Sequence, residues 1–537
     1  MTKKRFFVYF LITFLALIGY VFYFYKDSFE KLSKDQFESS HLLKNKETLS
    51  YGVSASHPLA VEVGIDVLEK GGNAVDAAIA VSYALGVVEP YGSGIGGGGG
   101  MLIKPGDSKE DAVFIDYREV APSANQQSAG QVGVPGFVKG REIIRESYGT
   151  MAISELIEPS IELAEDGFEV SEDLHNRLEN AQYRLPVNQL PHLFPNGHPI
   201  DVDDHLKQKD LAKTLKGIQE EGSDGFYAGE VATSITHSSA VTNDDLLSYE
   251  VVEREPVYGE FSGYDIMSAP PPFAGITLIQ SLQMIDLLNA ESVKDNQVDY
   301  MYMISKVTNT AYKDRLETLG DPHFVNISND TLTSKDHAQS LIETMDMDHL
   351  SQNEEEHEST THFVVIDSEG TVVSATNTLS NFFGSGIFTE GFFLNNNLDN
   401  FGTSAVSPNA YEPGKRARTF TAPTIIYNDE LMLGIGTPGG NRIPAMLVEV
   451  LVPYLKYGET LEDIVEEPRF YAQDGKIFTE NLYPPEIKQA LNNLGYQVEF
   501  NSKSTFYGAI QALLIDYEQK LIYGVGDKRR NGTWMVK

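Results

Sequence analysis

One hydroxyl residue in this chain has a setting that could make it a nucleophile. At "HESTTHFVVID", residues 357–367, the acidic stretch "MDMDHLSQNEEEHES" runs straight into an apolar strand at Thr360 and Thr361. Such a junction is either a turn or a cut site that leaves a hydroxyl residue at the head of a new chain. A threonine hydroxyl attacks a carbonyl only with a base beside it, and its own α-amino group is one economical base. That amine has an ordinary pKa of about 7.7 to 8.0, and it exists only once the Ser359–Thr360 bond is broken. Taken alone, a threonine at a strand start is commonplace. The weight therefore falls on its surroundings.

Acyl transfer also needs hydrogen-bond donors for an oxyanion, usually backbone N–H groups. "GIGTPGGNRIP", residues 434–444, places Gly439 and Gly440 in a loop entering a helix at Ile443. An ordinary strand-to-helix turn would read the same way. A substrate carboxylate calls for an arginine. The candidates are Arg118, Arg416, Arg418, Arg442, Arg529 and Arg530, and the clusters "GKRAR" and "DKRR" are unexpected in a chain with 77 acidic residues. Solvated surface is the plain alternative for any one of them.

Other chemistries fall away. The chain has no cysteine, which excludes disulfides, thiolate nucleophiles and cysteine-bound metals. It has no Gly-x-Ser-x-Gly elbow. Gly94, Gly96 and Gly99 match a dinucleotide fingerprint only because five glycines in a row match almost any glycine pattern. Their order, helix then strand, is the reverse of what a nucleotide site needs. Asp346, Asp348 and His349 read as a solvated charge run, so no metal and no cofactor is expected.

The elements that must position these residues belong to a long chain of 537 residues, 41% hydrophobic, with a net charge of −36. That charge argues against general nucleic-acid binding, which needs basic patches. Residues 6–25 are uncharged and almost wholly apolar, about the span of a bilayer core, and Lys3, Lys4 and Arg5 precede them. No small-residue cleavage site follows. The pattern predicts an uncleaved single-pass anchor at 1–25, a stalk at 26–48 and an extracytoplasmic body on the cell membrane. In that body, 59–70 reads as a helix stopped by Gly71 and Gly72, and Asn73 caps a second helix. "DAVFIDYREVAP" reads as a strand with Arg118 near its end. Residues 137–250 are largely helical and polar. "GYDIMSAPPPFAGITLIQSLQMIDLL" is a strand, a proline turn and a helix. After Thr360 the period changes to 2 in a hairpin turning at Ser368–Gly370. Strands follow near 422–427 and 431–436, then a helix at 443–457, then more strands.

From about residue 50 onward the chain resembles the γ-glutamyltransferase family of N-terminal nucleophile hydrolases. The resemblance rests on "GGNAVDAAIA", "VVEP", "DYREVAP", "VGVPGF", "PSIELAEDGF", "APPPFAGI", "AYKDRLETLGDP", "TTHFVVID", "LNNNLDNF" and "GTPGGNRIP", in that order. More narrowly, "TNTLSNFFGSG", "YEPGKRARTF", "GGNRIP" and "GDKRRNGTW" resemble the branch that depolymerises or transfers capsule poly-γ-glutamate. The resemblance implies an α/β fold of the four-layer αββα kind, self-cleaved between Ser359 and Thr360. Residues 49–359 and 360–537 would then form a large and a small chain that stay associated. It implies Thr360 as nucleophile, Thr378 as the partner of its freed amine, Gly439 and Gly440 as the oxyanion pair, and Arg118 as the clamp on the α-carboxylate of a γ-glutamyl unit.

The chain departs from that pattern at several positions. Glutathione-cleaving members carry an aspartate for the substrate's free ammonium where this chain has Asn400. The acid or amide before it corresponds to Asn397, and a carboxylate-binding serine pair corresponds to Thr419 and Phe420. The stretch from Asn400 to Lys415 is too short for the long lid of some members. Inside a γ-linked polymer each α-nitrogen is a neutral amide, which Asn400 can serve and a buried aspartate could not. The expected partners are a γ-glutamyl polymer or peptide and an amine or water acceptor, with Arg442, Arg529 and Arg530 reading neighbouring carboxylates. A general glutathione hydrolase is the alternative. A non-catalytic surface binding protein is a further one, and a cleavage assay separates it from both.

Overall fold

A computed structural model of the chain describes residues 50–106, 110–345 and 359–537. The expected anchor and stalk lie outside those residues. Among the described residues no helix is long and apolar enough to cross a membrane.

Two antiparallel sheets carry the fold. The first runs Thr533–Val536, Gly52–Ala55, Ser359–Ile366, Val372–Ser380, Gly98–Lys104, Val113–Asp116, Val252–Arg254. The second runs Leu521–Gly526, Gln511–Asp516, Leu431–Gly436, Thr424–Tyr427, Tyr264–Ser268, Val257–Phe261. Strand side chains alternate between faces, and the hairpin after Ser359 shows what the alternation does. Phe363, Val365 and Val373 pack with the helices Pro58–Glu69, Ala74–Val88 and Ile153–Asp166. Val364, Ile366 and Val372 pack instead with Met267, Ile425, Leu513 and Ile515 of the second sheet. That sheet's other face, through Ile266, Ile426, Leu433 and Leu514, packs with the helices Gly275–Leu287, Gln297–Thr318 and Ile443–Tyr457. Four layers result, helices outside and sheets inside, in a mixed α/β fold.

Local chemistry sets the element ends. Asn73 and Asp76 form a reciprocal capping box at the start of Ala74–Val88. Pro444 lies in the first turn of Ile443–Tyr457, and Gly458 in the left-handed region ends it. The alternation was legible, whereas the short helices Leu461–Glu466 and Pro485–Asn493 lie where the sequence reads as strands. Both begin at Thr460 or Pro484, residues that start helices and turns alike.

The two sheets approach closely beneath the hairpin. A Cβ on Gly434 would stand 2.6 Å from Val364 Cγ1, and one on Gly436 would stand 2.3 Å from His362 Cε1. Only glycine lets the strand Leu431–Gly436 lie this near. Burial lowers the His362 pKa to about 3, and Nδ1 lies 2.8 Å from Thr376 Oγ1. His362 is thus a neutral spacer between the sheets, not a base.

Candidate active site

Ser359 and Thr360 open the buried strand Ser359–Ile366, and Thr360 faces Thr378 across the ladder. By alternation Thr360 shares the face of His362 and Val364, toward the second sheet. Thr361 turns to the helices, where its hydroxyl donates to Glu89 Oε2 at 2.7 Å and Ser56 Oγ donates to the same oxygen at 2.9 Å. Burial raises Glu89 to about 7, against the opposing pull of these two hydroxyls. On the other side of the Ser359–Thr360 bond, Ser359 Oγ donates to Tyr91 O at 2.5 Å. The bond is pinned at both ends.

In the unbroken chain the Thr378 hydroxyl donates to the Ser359 carbonyl oxygen, and the Ser380 N–H donates to Thr378 Oγ1 at 2.9 Å. Because Ser380 fills the acceptor role of that hydroxyl, its proton is directed at the carbonyl. This polarises the very carbon that Thr360 Oγ1 would attack. The resemblance assigns Thr378 to the freed amine. Before cleavage no amine exists, and the same hydroxyl serves the carbonyl instead.

Gly434 lies over Val364 and Gly436 over His362, so each step of two along one strand matches a step of two along the other. The strand ends at Gly436, and the loop that holds Gly439 and Gly440 follows directly from this end, the end level with His362, two residues from Thr360. Gly439 and Gly440 have φ of 145° and 60°, backbone that side-chain-bearing residues rarely adopt, and they lead through a single 3₁₀ turn into the helix at Ile443. Free N–H groups at a helix start carry partial positive charge. Gly439 packs beside Gly508. The segment before Gly508 is held by two of the candidate arginines: Arg442 Nε donates to Phe506 O at 2.6 Å, and Arg530 Nη2 to Thr505 O at 2.8 Å.

Arg118 extends the row. Thr360 pairs with Thr378, Thr378 with Gly98, and the mutual N–H···O bonds between Gly99 and Tyr117 carry the register one strand further to Arg118. Three interstrand steps make about 14 Å, a span that a glutamyl unit plus an arginine side chain fills. The Arg118 backbone is fixed by Asp116 Oδ1, which accepts its N–H at 3.0 Å, and by the Tyr249 hydroxyl, which donates to its carbonyl at 2.9 Å. Its side chain is 1% exposed, yet Nε and Nη2 have no hydrogen-bond partner. Glu119 Oε2 lies 3.4 Å from Nε.

Glu119, which sequence reasoning missed, ties the remaining residues together. It accepts from Asn397 Nδ2 at 3.0 Å, and Asn397 and Asn400 each bring Nδ2 to 3.4 Å from Ser380 Oγ. Burial pushes the Glu119 carboxyl up, with Arg118 opposing. Glu119 Oε1 and Asn400 Oδ1 are buried acceptors without a donor. One connected set thus runs from Arg118 through Glu119, Asn397 and Ser380 to Thr378 and Ser359. Ser380, with φ of 75°, could not be found from sequence, where it reads as one more strand-end serine.

Other candidates belong elsewhere. Arg529 does not join the set: its three nitrogens donate to Glu480, Val465 O and Glu467 O, with Glu480 gripped at 2.8 and 2.6 Å. The "GKRAR" cluster is no surface patch either. Burial would raise Asp116, but Arg416 and Arg254 outweigh it and hold the carboxyl below its usual range. Arg418 donates to the carbonyls of Arg315, Leu316 and Leu319, closing the end of Gln297–Thr318. These arginines are spent inside the fold. Thr419 Oγ1 lies 3.2 Å from Thr421 Oγ1, its N–H donates to Pro272 O at 3.0 Å, and the Phe420 ring stacks on Tyr312. The stretch after Asn400 turns back early, with Gly402 N–H donating to Asn409 O at 2.9 Å.

A threonine at the head of a buried strand, a hydroxyl directed at the preceding carbonyl and a buried arginine with unfilled nitrogens in the same sheet are features an acyl-transfer enzyme would use. Comparison with known proteins gives it a family. The gamma-glutamyltranspeptidase model matches residues 60–536. The chain belongs to the gamma-glutamyltranspeptidase family. It is 47% identical over 507 residues to the capsule biosynthesis protein CapD proenzyme of Bacillus anthracis, covering 94% of each chain. It is 35% identical to the glutathione hydrolase proenzyme of Bacillus subtilis strain 168, covering 90% of each. The fold matches a cephalosporin acylase from Bacillus halodurans with a TM-score of 0.82 at 23% identity, over 92% of this chain and 98% of that one. As a gamma-glutamyltranspeptidase family member the chain is an enzyme of γ-glutamyl transfer or hydrolysis.

Proposed function

We propose that this chain is a precursor that cuts itself between Ser359 and Thr360 and then acts on a γ-linked glutamyl polymer. Thr360 Oγ1 attacks the Ser359 carbonyl, and the Ser359–Thr360 C–N bond breaks as the Thr360 nitrogen takes up the hydroxyl proton and becomes a free amine. Water then hydrolyses the ester to release the Ser359 carboxylate and return the Thr360 hydroxyl. That amine then takes the hydroxyl proton as Thr360 attacks a γ-glutamyl amide. The N–H groups of Gly439 and Gly440 hold the oxyanion, and Arg118 Nη2 holds the α-carboxylate. The amine product leaves with the proton, a γ-glutamyl ester remains on Thr360, and water or an amine releases it. Both sheets contain strands from either side of the cut, interleaved in the first and joined edge to edge in the second, which supports two chains, 49–359 and 360–537, that stay together.

One observation carries the polymer reading. Asn400 offers a buried, donor-free Oδ1 at the end of the Arg118–Ser380 set. A neutral acceptor suits the amide N–H of an internal glutamyl unit. The likeness to a capsule biosynthesis protein supports the same substrate class. The glutathione alternative keeps one argument: Glu119 Oε1 is an unfilled carboxylate oxygen in the same set, and it could meet an ammonium. The deciding measurement compares kcat/KM for a synthetic γ-linked glutamyl oligomer with a blocked N-terminus and for glutathione. Wild type should prefer the oligomer, and Asn400→Asp should shift the ratio toward glutathione by roughly tenfold or more, the worth of a charge-assisted hydrogen bond. Efficient glutathione cleavage by wild type with the blocked oligomer untouched would sink the polymer reading.

The reading includes a membrane anchor at 1–25 with the enzyme outside the cell, supported by the apolar run and the cations before it. Protease added to intact cells should then degrade the body and leave a short N-terminal remnant. Complete protection would show the opposite topology.

A further inference from the structure

Behind the row that bears Thr378 and Arg118 lies a cation that none of the chemistry above uses. Arg141, in the helix Phe137–Tyr148, is fully buried, and no acid pairs with it among the described residues. Its Nη2 donates to Asn377 Oδ1 at 2.6 Å, while Nε and Nη1 have no hydrogen-bond partner. Its guanidinium lies 4.2 Å from the Tyr117 ring centre and 4.6 Å from that of Phe137. A buried charge without a counter-ion costs stability, and two aromatic faces return only part of it. Packing alone is a poor reason for an arginine here.

Its contacts give a better one. The Tyr117 hydroxyl donates to the same Asn377 Oδ1 at 2.8 Å. To do so it crosses the intervening strand at Gly99, where a Cβ would stand 2.8 Å from Tyr117 Cε2. Asn377, Gly99 and Tyr117 are lateral neighbours in the sheet, and each immediately precedes or follows a residue of the site row. Asn377 is bonded to Thr378, and Tyr117 to Arg118. Side chains alternate, so the helix-side triad is the reverse face of the row that carries Thr378 and Arg118.

We propose that Arg141 is a positioning residue that locks Arg118 and Thr378 relative to one another by clamping Tyr117 and Asn377 from behind. It touches neither substrate nor the scissile bond. Loosening it lets the carboxylate clamp drift from the nucleophile, and errors of about 1 Å in such a site are costly. The inference rests on the reading of Arg118 as the clamp and of Thr378 as the carbonyl's partner.

The test is a double-mutant cycle on the purified full chain. Arg141→Met should raise KM for a γ-glutamyl donor about tenfold and slow self-cleavage by a similar factor. In an Arg118→Ala background the same change should leave KM unmoved, because the group it positions is gone. Arg141→Lys should recover little, since an ammonium lacks the flat guanidinium that lies along Tyr117. Equal KM effects in both backgrounds, or wild-type KM and self-cleavage in folded Arg141→Met, would overturn the proposal. Should Arg141→Met not fold, Tyr117→Phe, which removes one hydroxyl, goes through the same cycle and is expected to raise KM while self-cleavage stays near wild type; an unchanged KM there counts against the proposal. If Arg118→Ala itself leaves KM unchanged, the clamp reading has failed. The self-cleavage rate of Arg141→Met then decides this proposal by itself.

Discussion

Thr360→Ala protein should run as one chain on a denaturing gel where wild type runs as two. The substitution removes only the attacking hydroxyl, and an alanine fits the same strand position. Self-cleavage should therefore fall by on the order of 10⁴ or more, as when a nucleophile is deleted elsewhere, without loss of fold. Thr360→Ser, which keeps a hydroxyl, should still cleave. Thr378→Val should cleave more slowly by roughly 10² to 10³, the usual cost of one missing oxyanion-type donor, because the Ser359 carbonyl loses the hydroxyl aimed at it. N-terminal sequencing of the smaller wild-type chain should begin Thr-Thr-His-Phe. A different N-terminus, or two chains from Thr360→Ala, would remove self-cleavage by this residue.

How much of this could be read beforehand depended on how local each determinant is. The hairpin, its alternation and the caps of its flanking helices are local, and they were legible. The positions proposed for the nucleophile and the oxyanion pair stand out in the sequence because each breaks a pattern: a hydroxyl where a linker stops, and glycines where a helix starts. Arginines were the least legible. Charge alone could not separate Arg118, whose Nη2 is unfilled, from Arg529, whose nitrogens are filled, or from Arg416 and Arg418, which the fold consumes. That difference lies in partners far along the chain, such as Glu480 for Arg529 and Asp116 for Arg416. Glu119 and Ser380 were invisible for the same reason. Glu119 matters through Asn397, Ser380 through Thr378, and neither contact leaves a spacing in the sequence.

Arg118→Ala should separate self-cleavage from turnover. Self-cleavage uses the chain's own Ser359 carbonyl, which is held by Thr378 and not by Arg118, so both chains should still form. Turnover needs the α-carboxylate of the donor. Losing a charge-assisted contact to it should cost about 1.5 to 3 kcal/mol, roughly ten- to a hundredfold in kcat/KM. The complication is Glu119. Arg118 is the charge that opposes the effect of burial on that carboxyl, so its removal leaves Glu119 orphaned and pushes its pKa still higher. A loss of activity in Arg118→Ala could therefore come from a disturbed Glu119–Asn397 contact. The double variant Arg118→Ala/Glu119→Gln resolves this, because a glutamine can still accept from Asn397 Nδ2 and carries no charge to orphan. With the clamp reading correct, the double variant stays as poor as Arg118→Ala and its defect sits in KM for the donor. Restoration of wild-type kcat/KM by the added Glu119→Gln would reduce Arg118 to a counter-ion of Glu119, and the carboxylate would need another partner.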